Sequence, residues 1–559
     1  MKVYEAVAAG LIAEGVDQMF GLMGDGNMSL WATLVKDGQV DIVSSGHEQA
    51  ALAMADGYHR ATGRVGVATV THGPGLTQVA TSLTIAVRNR SALVLFIGQT
   101  RRGARYATQR LDPRPFVEAC GARLVDVTTP ENLAAEMAEA FYIARVQRTP
   151  VVLNIDVALQ ERAFDWDFNY RPSTEYLPLP AGVPSDDVMN TLIEKLEAAE
   201  WPVIVAGIGA MKAQAKPEIL ALGEQLGALL ATSLQAKGFF SGEEYDVGIS
   251  GAFSSEPTER LLGDADFVLG VGAELGYYTS EGGMLFPIAE VARIDSHPLQ
   301  AEIGPFPGLY VHGDAKKTVA LLVQRLRERK VARTGFRDKD TRAILAAPPH
   351  EFARASDGID PRQLAHAIGA ALPRNSLVTC GNCHFWAFPA MYMPLPEGAE
   401  LRFSYQFGAI GQTIPLAIGI AKANPGRPQV VIEGDGAMLM NLQELFTIQR
   451  FKLSMVVVVW NDNGFGAEVH KLKAKGFDPS HAQWEQADFV ALARAFGGDG
   501  ARATSVGEVG TAIQQGLKKG GLFIVDAQVS PTTVSDPYSK LHFGVPNQAP
   551  LLRPLAAER

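Results

Sequence analysis

"QVVIEGDGAMLMNLQELFTIQRFKLSMVVVVWNDNGFG" spans residues 429–466. A β-branched run ends at Glu433, Gly-Asp-Gly turns the chain, and "AMLMNLQELFTIQRF" repeats apolar residues at helical spacing. A second run, "MVVVVW", then ends in "NDNGFG". That run is far too short to cross a bilayer and reads as a buried parallel strand. A strand-helix-strand unit of this length predicts a right-handed crossover, with both strand ends at one edge of the sheet. Asp435 and the run Asn461-Asp462-Asn463 therefore converge where open α/β sheets bind ligands. Two carboxylates brought together there repel unless a cation sits between them. Hard oxygen ligands that leave room for water and phosphate oxygens predict a Mg²⁺ site holding a diphosphate. The glycines allow close backbone approach and supply amide donors at a helix start. A plain structural crossover is the competing reading.

The same alternation of short β-branched runs and longer amphipathic stretches continues in both directions. "DIVSSG", "GVATVTHG", "ALVLFIG" and "TPVVLNID" are the strands expected near the start. After the proline-rich linker at 170–187 come "WPVIVAGIG", "LLATSL", "ADFVLGVGA", "EVARIDSHP" and "LYVHGD". The basic stretch 325–342 reads as a solvated helix end and second linker, and "SLVTCGN", "LRFSYQFG" and "LFIVDAQVS" complete the third set. The fold class is α/β, with three doubly wound parallel-sheet domains expected at 1–169, 185–335 and 355–535 and a tail at 536–559. A chain of 559 residues is too long for one core, which agrees.

Net charge is −10, which argues against nucleic acid or an anionic membrane as the main partner. The first twenty residues carry Glu5, Glu14 and Asp17 among apolar positions and lack the apolar core of a secretion signal. Cys120, Cys380 and Cys383 are too few for a disulfide framework, and the C-x-x-C pair lacks the second ligand pair of a zinc site. A cytoplasmic protein is expected, with the C-x-x-C as a strand-to-helix turn. Gly-Asp-Gly also occurs at 24–26 and 498–500, where an ordinary turn is the simplest reading of either copy.

Gly434-Asp435-Gly436, twenty-four residues (437–460) and then Asn461-Asp462-x-Gly464-Phe465-Gly466 resemble the cofactor motif of thiamine diphosphate-dependent enzymes. The resemblance implies that Asp435, Asp462 and the carbonyl of Gly464 hold Mg²⁺, with Gly434, Gly436, Ala437, Phe465 and Gly466 around the diphosphate. The second ligand position, commonly Asn in the family, is Asp462 here. "SSGHEQAALAMADGYHRATG" (44–63) resembles the family's activating segment, which makes Glu48 the acid that drives the aminopyrimidine. Alone, Glu48 would pass for a helix N-terminal charge. "FGAIGQTIPLAIG" (407–419) resembles the segment with a bulky residue beneath the thiazolium, here Ile410, which on pattern alone is core. The three domains then read as pyrimidine-binding, central and diphosphate-binding. Motif order is similar to the acetolactate-synthase-like branch, which implies a homodimer or homotetramer with Glu48 supplied across the subunit interface. Some relatives carry FAD or ADP in the central domain; "AGIGAM" and "GVGAEL" are too weak a signal to claim either.

The cofactor acts as a carbanion sink while the protein positions groups and moves protons. After loss of CO₂ from a 2-oxo acid, attack on a second carbonyl makes a carboligase, protonation a decarboxylase, and electron loss to FAD an oxidase. "QRLD" (109–112) resembles a substrate-facing segment of acetolactate synthases, giving Gln109, with Arg123 as a nearby cation. "MGDGN" (23–27) resembles a proton-handling turn of pyruvate decarboxylases, giving Asp25. Glu468 falls where those decarboxylases carry a catalytic Glu, and His72 lies in the cofactor-proximal turn "THGPG". Each has a bland alternative: exposed loop for Gln109 and Arg123, turn former for Asp25, helix-start charge for Glu468, structural histidine for His72. Decarboxylation of a 2-oxo acid followed by carboligation is the leading expectation. Simple decarboxylation follows, then a flavin-linked oxidase. A regulatory subunit without activity is disfavoured because Glu48 and Asp435 are both present. The tail is expected to close over the site or to pack on the surface.

Overall fold

The computed structural model describes residues 1–297, 308–346, 355–485 and 487–542. Three six-stranded sheets follow one another along the chain, every pairing parallel. The first contains β1 (Gln18–Gly21), β2 (Asp41–Ser44), β3 (Gly66–Val70), β4 (Leu93–Gln99), β5 (Arg123–Val127) and β6 (Val151–Asp156), ordered 2-1-3-4-6-5. The second contains β7 (Pro202–Ala206), β8 (Leu229–Thr232), β9 (Asp246–Ile249), β10 (Phe267–Val271), β11 (Glu290–Asp295) and β12 (Leu309–His312), ordered 12-11-10-7-8-9. The third contains β13 (Leu377–Cys380), β14 (Glu400–Phe403), β15 (Gln429–Gly434), β16 (Met455–Asn461), β17 (Asp499–Ala503) and β18 (Leu522–Gln528), ordered 14-13-15-16-18-17. The α/β class with three parallel sheets agrees with the sequence reading.

Four strands escaped that reading: β1, β5, β9 and β17. The last three are edge strands, and β5 and β17 mix charged with apolar residues because one face stays open to water. β1 is only four residues long and continues directly from an apolar helix. Asp499, expected in a surface turn, opens edge strand β17 and pairs with Arg494 and Lys519. The stretch expected as a second linker folds back instead: Phe336 is buried against Trp201, and Arg333 donates to the Ala199 carbonyl. The start of the first linker is also pinned, since buried Glu14 accepts from Tyr170 Oη and from the Ser173 amide.

Helix α1 (Glu48–Thr62) from the first module crosses helix α2 (Thr413–Ala423) from the third at backbone distance. A Cβ on Gly57 would lie 2.1 Å from the Leu416 carbonyl oxygen, and one on Gly419 1.9 Å from that of Met54. Leu52, Met54, Ile414 and Ile418 consequently share one core that joins the two sheets. The far end of α1 is tied as well, because Arg60 pairs with Asp56 at 2.5 Å and donates to Phe403 O and Gln406 Oε1. No helix among the described residues is long and apolar enough to cross a membrane.

Gly419→Ala should therefore force the helices apart and cost about 3 kcal/mol, the upper range of overpacking penalties. Urea unfolding of the variant against the parent chain measures it; an unchanged midpoint would contradict the backbone contact.

Candidate active site

β15 and β16 run side by side with Gly434 opposite Trp460, so both end at one sheet edge. Beyond β15, helix α3 (Asp435–Leu439) begins at once, followed by α4 (Gln443–Arg450). Asp435 is 2% exposed; its Oδ1 accepts from the Gly436 amide at 2.9 Å and its Oδ2 from the Gly464 amide at 3.1 Å. Burial first, and then the charge of Asp462, push the Asp435 carboxyl far above the usual carboxylate range. Burial does the same to Asp462. Asn461, at the end of β16, donates to Asp526 and accepts from the Asn463 amide, so the turn is held from beneath. Asn463 sits in the left-handed region (φ 59°), and its Oδ1 is buried without a partner.

Three glycines leave this cradle open. A Cβ on Gly436 would press 2.6 Å from the Phe465 ring, whose edge-on partner is Trp484, and one on Gly466 would lie 2.2 Å from Asp462 Oδ2. Gly464 faces Asp435 through its amide. A buried and a half-buried carboxylate with no counter-charge among the described residues, an orphaned amide oxygen and a glycine-lined rim form a donor set that fits Mg²⁺ with a diphosphate. Among the described residues no three His, Cys, Asp or Glu side chains converge, so any metal here takes two carboxylates plus backbone and ligand oxygens.

Ile410 lies in the loop entering α2, which contains Phe407 with φ 65°. That loop is fastened from two sides: Asn382 donates to the Ala409 carbonyl at 3.0 Å and Asn441 to that of Gly411. Ile410 lines a cavity of ≈ 1980 Å³ together with Asn382, Cys383 and Glu468. Glu468, exposed, opens helix α5 (Gly466–Ala474) and faces Lys471 at 3.9 Å. Ala437 is buried in the first turn of α3, just after Asp435.

The remaining predicted residues gather at the carboxyl edge of the first sheet. Gly24-Asp25-Gly26 follows β1, with Asp25 exposed. Fully buried Asn27 staples the turn by accepting from the Gly24 amide and donating to Leu22 O and Thr69 Oγ1. His72 follows β3; it is buried, its Nδ1 has no partner, and a Cβ on Gly26 would lie 2.8 Å from that atom. Gln109 packs on Gly73, whose Cβ would lie 2.5 Å from the Gln109 carbonyl oxygen. Glu48 is half-buried in the first turn of α1, after His47, which caps the helix by accepting from the Gln49 amide. Arg123 does not join them: it starts β5, at the opposite edge of the sheet. The cavity that Ile410 and Glu468 line includes none of Asp25, Glu48, His72 and Gln109.

Sequence reasoning missed the wall of that cavity. His470 lies tilted and Tyr538 edge-on against His384, with ring centroids 4.5 and 5.1 Å from it. Tyr538 belongs to helix α6 (Asp536–His542) and donates to the Ala467 carbonyl at the start of α5. The start of the tail therefore packs on the cavity wall; residues 543–559 lie outside the described residues. Cys380 ends β13, and Cys383 has φ 114°, so the C-x-x-C is a strained strand-to-helix turn.

The chain matches three consecutive families described as thiamine pyrophosphate enzyme: the N-terminal TPP binding domain over residues 1–115, the central domain over 189–322 and the C-terminal TPP binding domain over 379–527. It is 30% identical to an acetolactate synthase large subunit of Parasynechococcus marenigrum, covering 89% of this chain and 83% of that protein. A large subunit of the same name from Haemophilus influenzae is 26% identical, with 94% of both chains covered. A Pseudomonas aeruginosa protein named "Probable 2-ketoarginine decarboxylase AruI" is 28% identical over 92% of this chain and 91% of its own length. The chain belongs to the thiamine pyrophosphate enzymes, in the branch of acetolactate synthases and 2-oxo acid decarboxylases. It is a thiamine diphosphate-dependent enzyme of the lyase or transferase kind.

The histidine wall sets an acid limit. Burial, and then neighbouring His470, depress His384 to about 3, and its Nε2 accepts from the Ser535 amide, which requires the neutral ring. The unfolded chain takes up that proton near pH 6.5, so this contribution is complete above pH 6.5 and is lost as pH falls toward 3. Urea unfolding at pH 7.5, 6 and 5 should show stability falling by up to about 1.4 kcal/mol per pH unit from this group. His384→Gln should flatten that slope; a parallel slope would refute it.

Proposed function

We propose that this enzyme decarboxylates a 2-oxo acid with thiamine diphosphate and Mg²⁺ and joins the remaining fragment to a second carbonyl compound. The observation that carries the reading is the carboxylate pair Asp435 and Asp462, closed by Gly464, at the carboxyl edge of the third sheet. Asp435, Asp462 and the Gly464 carbonyl would hold Mg²⁺. Gly434, Gly436, Ala437, Phe465 and Gly466 would frame the diphosphate, and Ile410 would support the thiazolium. When bound, thiamine diphosphate supplies the electron sink for the bond that loses CO₂.

The protein's own part is proton handling and exclusion of water. Glu48, at the positive end of α1, would accept and return a proton at the aminopyrimidine nitrogen. His72 and Gln109 would orient the substrate, and Asp25 and Glu468 would deliver or hold protons near it. We assign residues 1–169, 185–335 and 355–535 to pyrimidine-binding, central and diphosphate-binding domains of a cytoplasmic homodimer or homotetramer. Separation of the two half-sites in one chain supports assembly, as do exposed Met23 beside Asp25 and exposed Leu439 and Met440 behind Asp435. Glu48 would then serve a partner's Asp435.

One observation favours a second reading. Glu468 and Ile410 line one cavity, so the Glu468 carboxyl group in its protonated form would be placed to give its proton to the product fragment, leaving the carboxylate as the aldehyde is released. A flavin-linked oxidase draws no comparable support. A panel of 2-oxo acids with thiamine diphosphate and Mg²⁺, scored for CO₂, aldehyde, ligated product and oxygen uptake, separates the three. Ligated product under excess acceptor is expected; aldehyde alone would replace the leading reading by the second. Glu48→Gln should lower kcat at least ~100-fold, the scale of a lost general acid-base. Asp435→Ala should abolish Mg²⁺-dependent cofactor binding, read by tryptophan fluorescence.

A further inference from the structure

Glu444 is a carboxylate with no exposed surface, buried where the third module meets the first. It lies on α4, nine residues past Asp435, and reaches across to the turn that precedes Glu48. The Gly46 amide donates to its Oε1 at 3.0 Å and to its Oε2 at 3.3 Å, and Thr447 Oγ1 donates to Oε2 at 2.8 Å. Both of its oxygens are thus directed at the turn just before Glu48. The turn is braced on its other side by Ser45, whose amide donates to Gly21 O and whose hydroxyl donates to His47 O. Gly46 is required by the close fit, since a Cβ there would lie 2.8 Å from Gln443 Cγ and 3.1 Å from Glu444 Oε1.

A buried acid is an expensive way to join two modules. Burial lifts the Glu444 carboxyl to about 7 even with its hydrogen bonds, and an apolar side chain of similar volume would commonly make a fold at least as stable. What the carboxylate provides is direction. An amide gripped by both carboxylate oxygens, in a turn that Ser45 braces from its other side, leaves the backbone before Glu48 little freedom, and the positive end of α1 favours the acid there. We propose that Glu444 is the positioning residue for Glu48: it locks the Gly46–His47 turn so that the Glu48 carboxylate is held in the geometry its proton transfer needs. This rests on the reading of Glu48 as the activating acid. It adds that the helix following the metal turn sets the aim of the acid on the same chain.

The test is the rate at which the C2 proton of bound thiamine diphosphate exchanges with deuterated solvent, measured without substrate at saturating cofactor and Mg²⁺. Glu48→Gln, Glu444→Gln, Glu444→Ala and Gly46→Ala are compared with the parent enzyme, with cofactor half-saturation and melting temperature recorded for each. Slower exchange is expected in the order Glu444→Gln (about tenfold), Glu444→Ala (about a hundredfold), since misplacement by an ångström costs about that much. Cofactor half-saturation should stay within about twofold of the parent, because Glu444 touches no cofactor-binding residue. Gly46→Ala, which leaves both acids in place and only displaces the turn, should slow exchange as well. If Glu48→Gln slows exchange while both Glu444 variants keep the parent rate, the proposal is overturned and the role of Glu48 stands. Exchange at the parent rate in Glu48→Gln overturns the Glu48 assignment and this proposal with it. Slowing that vanishes when cofactor is raised, or that Gly46→Ala fails to reproduce, marks Glu444 as merely structural.

Discussion

Two carboxylates, one buried and one half-buried, at the end of adjacent strands are the constraint around which the third module is built. Asp435 and Asp462 arrive at one edge because a parallel crossover allows no other arrangement. Burial penalises both charges, and each charge penalises the other. A fold can keep such a pair only by supplying donors, and it does so sparingly: the amides of Gly436 and Gly464 for Asp435 and no counter-ion side chain. Glycines at 436, 464 and 466 are the steric counterpart, because every one of them faces an atom that a side chain would displace.

The same economy joins the modules. α1 and α2 touch through backbone at Gly57 and Gly419, so the first sheet cannot slide on the third without breaking a close-packed seam. Each end of α1 then carries a charged anchor into the third module: Glu444 at the start, Arg60 at the finish. Arg60 also grips Gln406, which bonds Asn89, and Gln406 stands four residues before Ile410. The element bearing Glu48 and the loop bearing Ile410 are thus fastened to one rigid seam, although the two residues belong to different half-sites.

Fully buried parallel strands were legible in the sequence because burial on both faces writes a continuous apolar run, as in β16 or β4. Edge strands β5 and β17 were not, since water on one side permits Arg123, Asp126, Asp499 and Arg502. The meeting of Asp435 and Asp462 at one sheet edge was readable from local spacing, because one crossover of set geometry separates them. Glu444 and Asn441 stood in the same quoted stretch and passed as ordinary helix positions. Their partners, Gly46 and Gly411, lie far away in the chain, and no periodicity records a hydrogen bond across 398 residues. Arg123 failed for the same reason in reverse: proximity along the chain to Gln109 says nothing about which end of a strand a residue occupies.

The proposed division of the site between two subunits would bear on the fate of the substrate. Asp25 and Glu468 are both exposed in one chain, where water surrounds each carboxyl group. On the proposed assembly a second copy covers both, and the loss of water would raise whichever carboxyl is more deeply enclosed. Protonation of the product fragment needs such a raised acid close at hand. Ligation needs the opposite, an acceptor carbonyl reaching the fragment before a proton does. The choice between the two outcomes would therefore lie in how tightly the partner encloses Asp25 and Glu468, a property of the assembled pair that the side chains of a single subunit do not set.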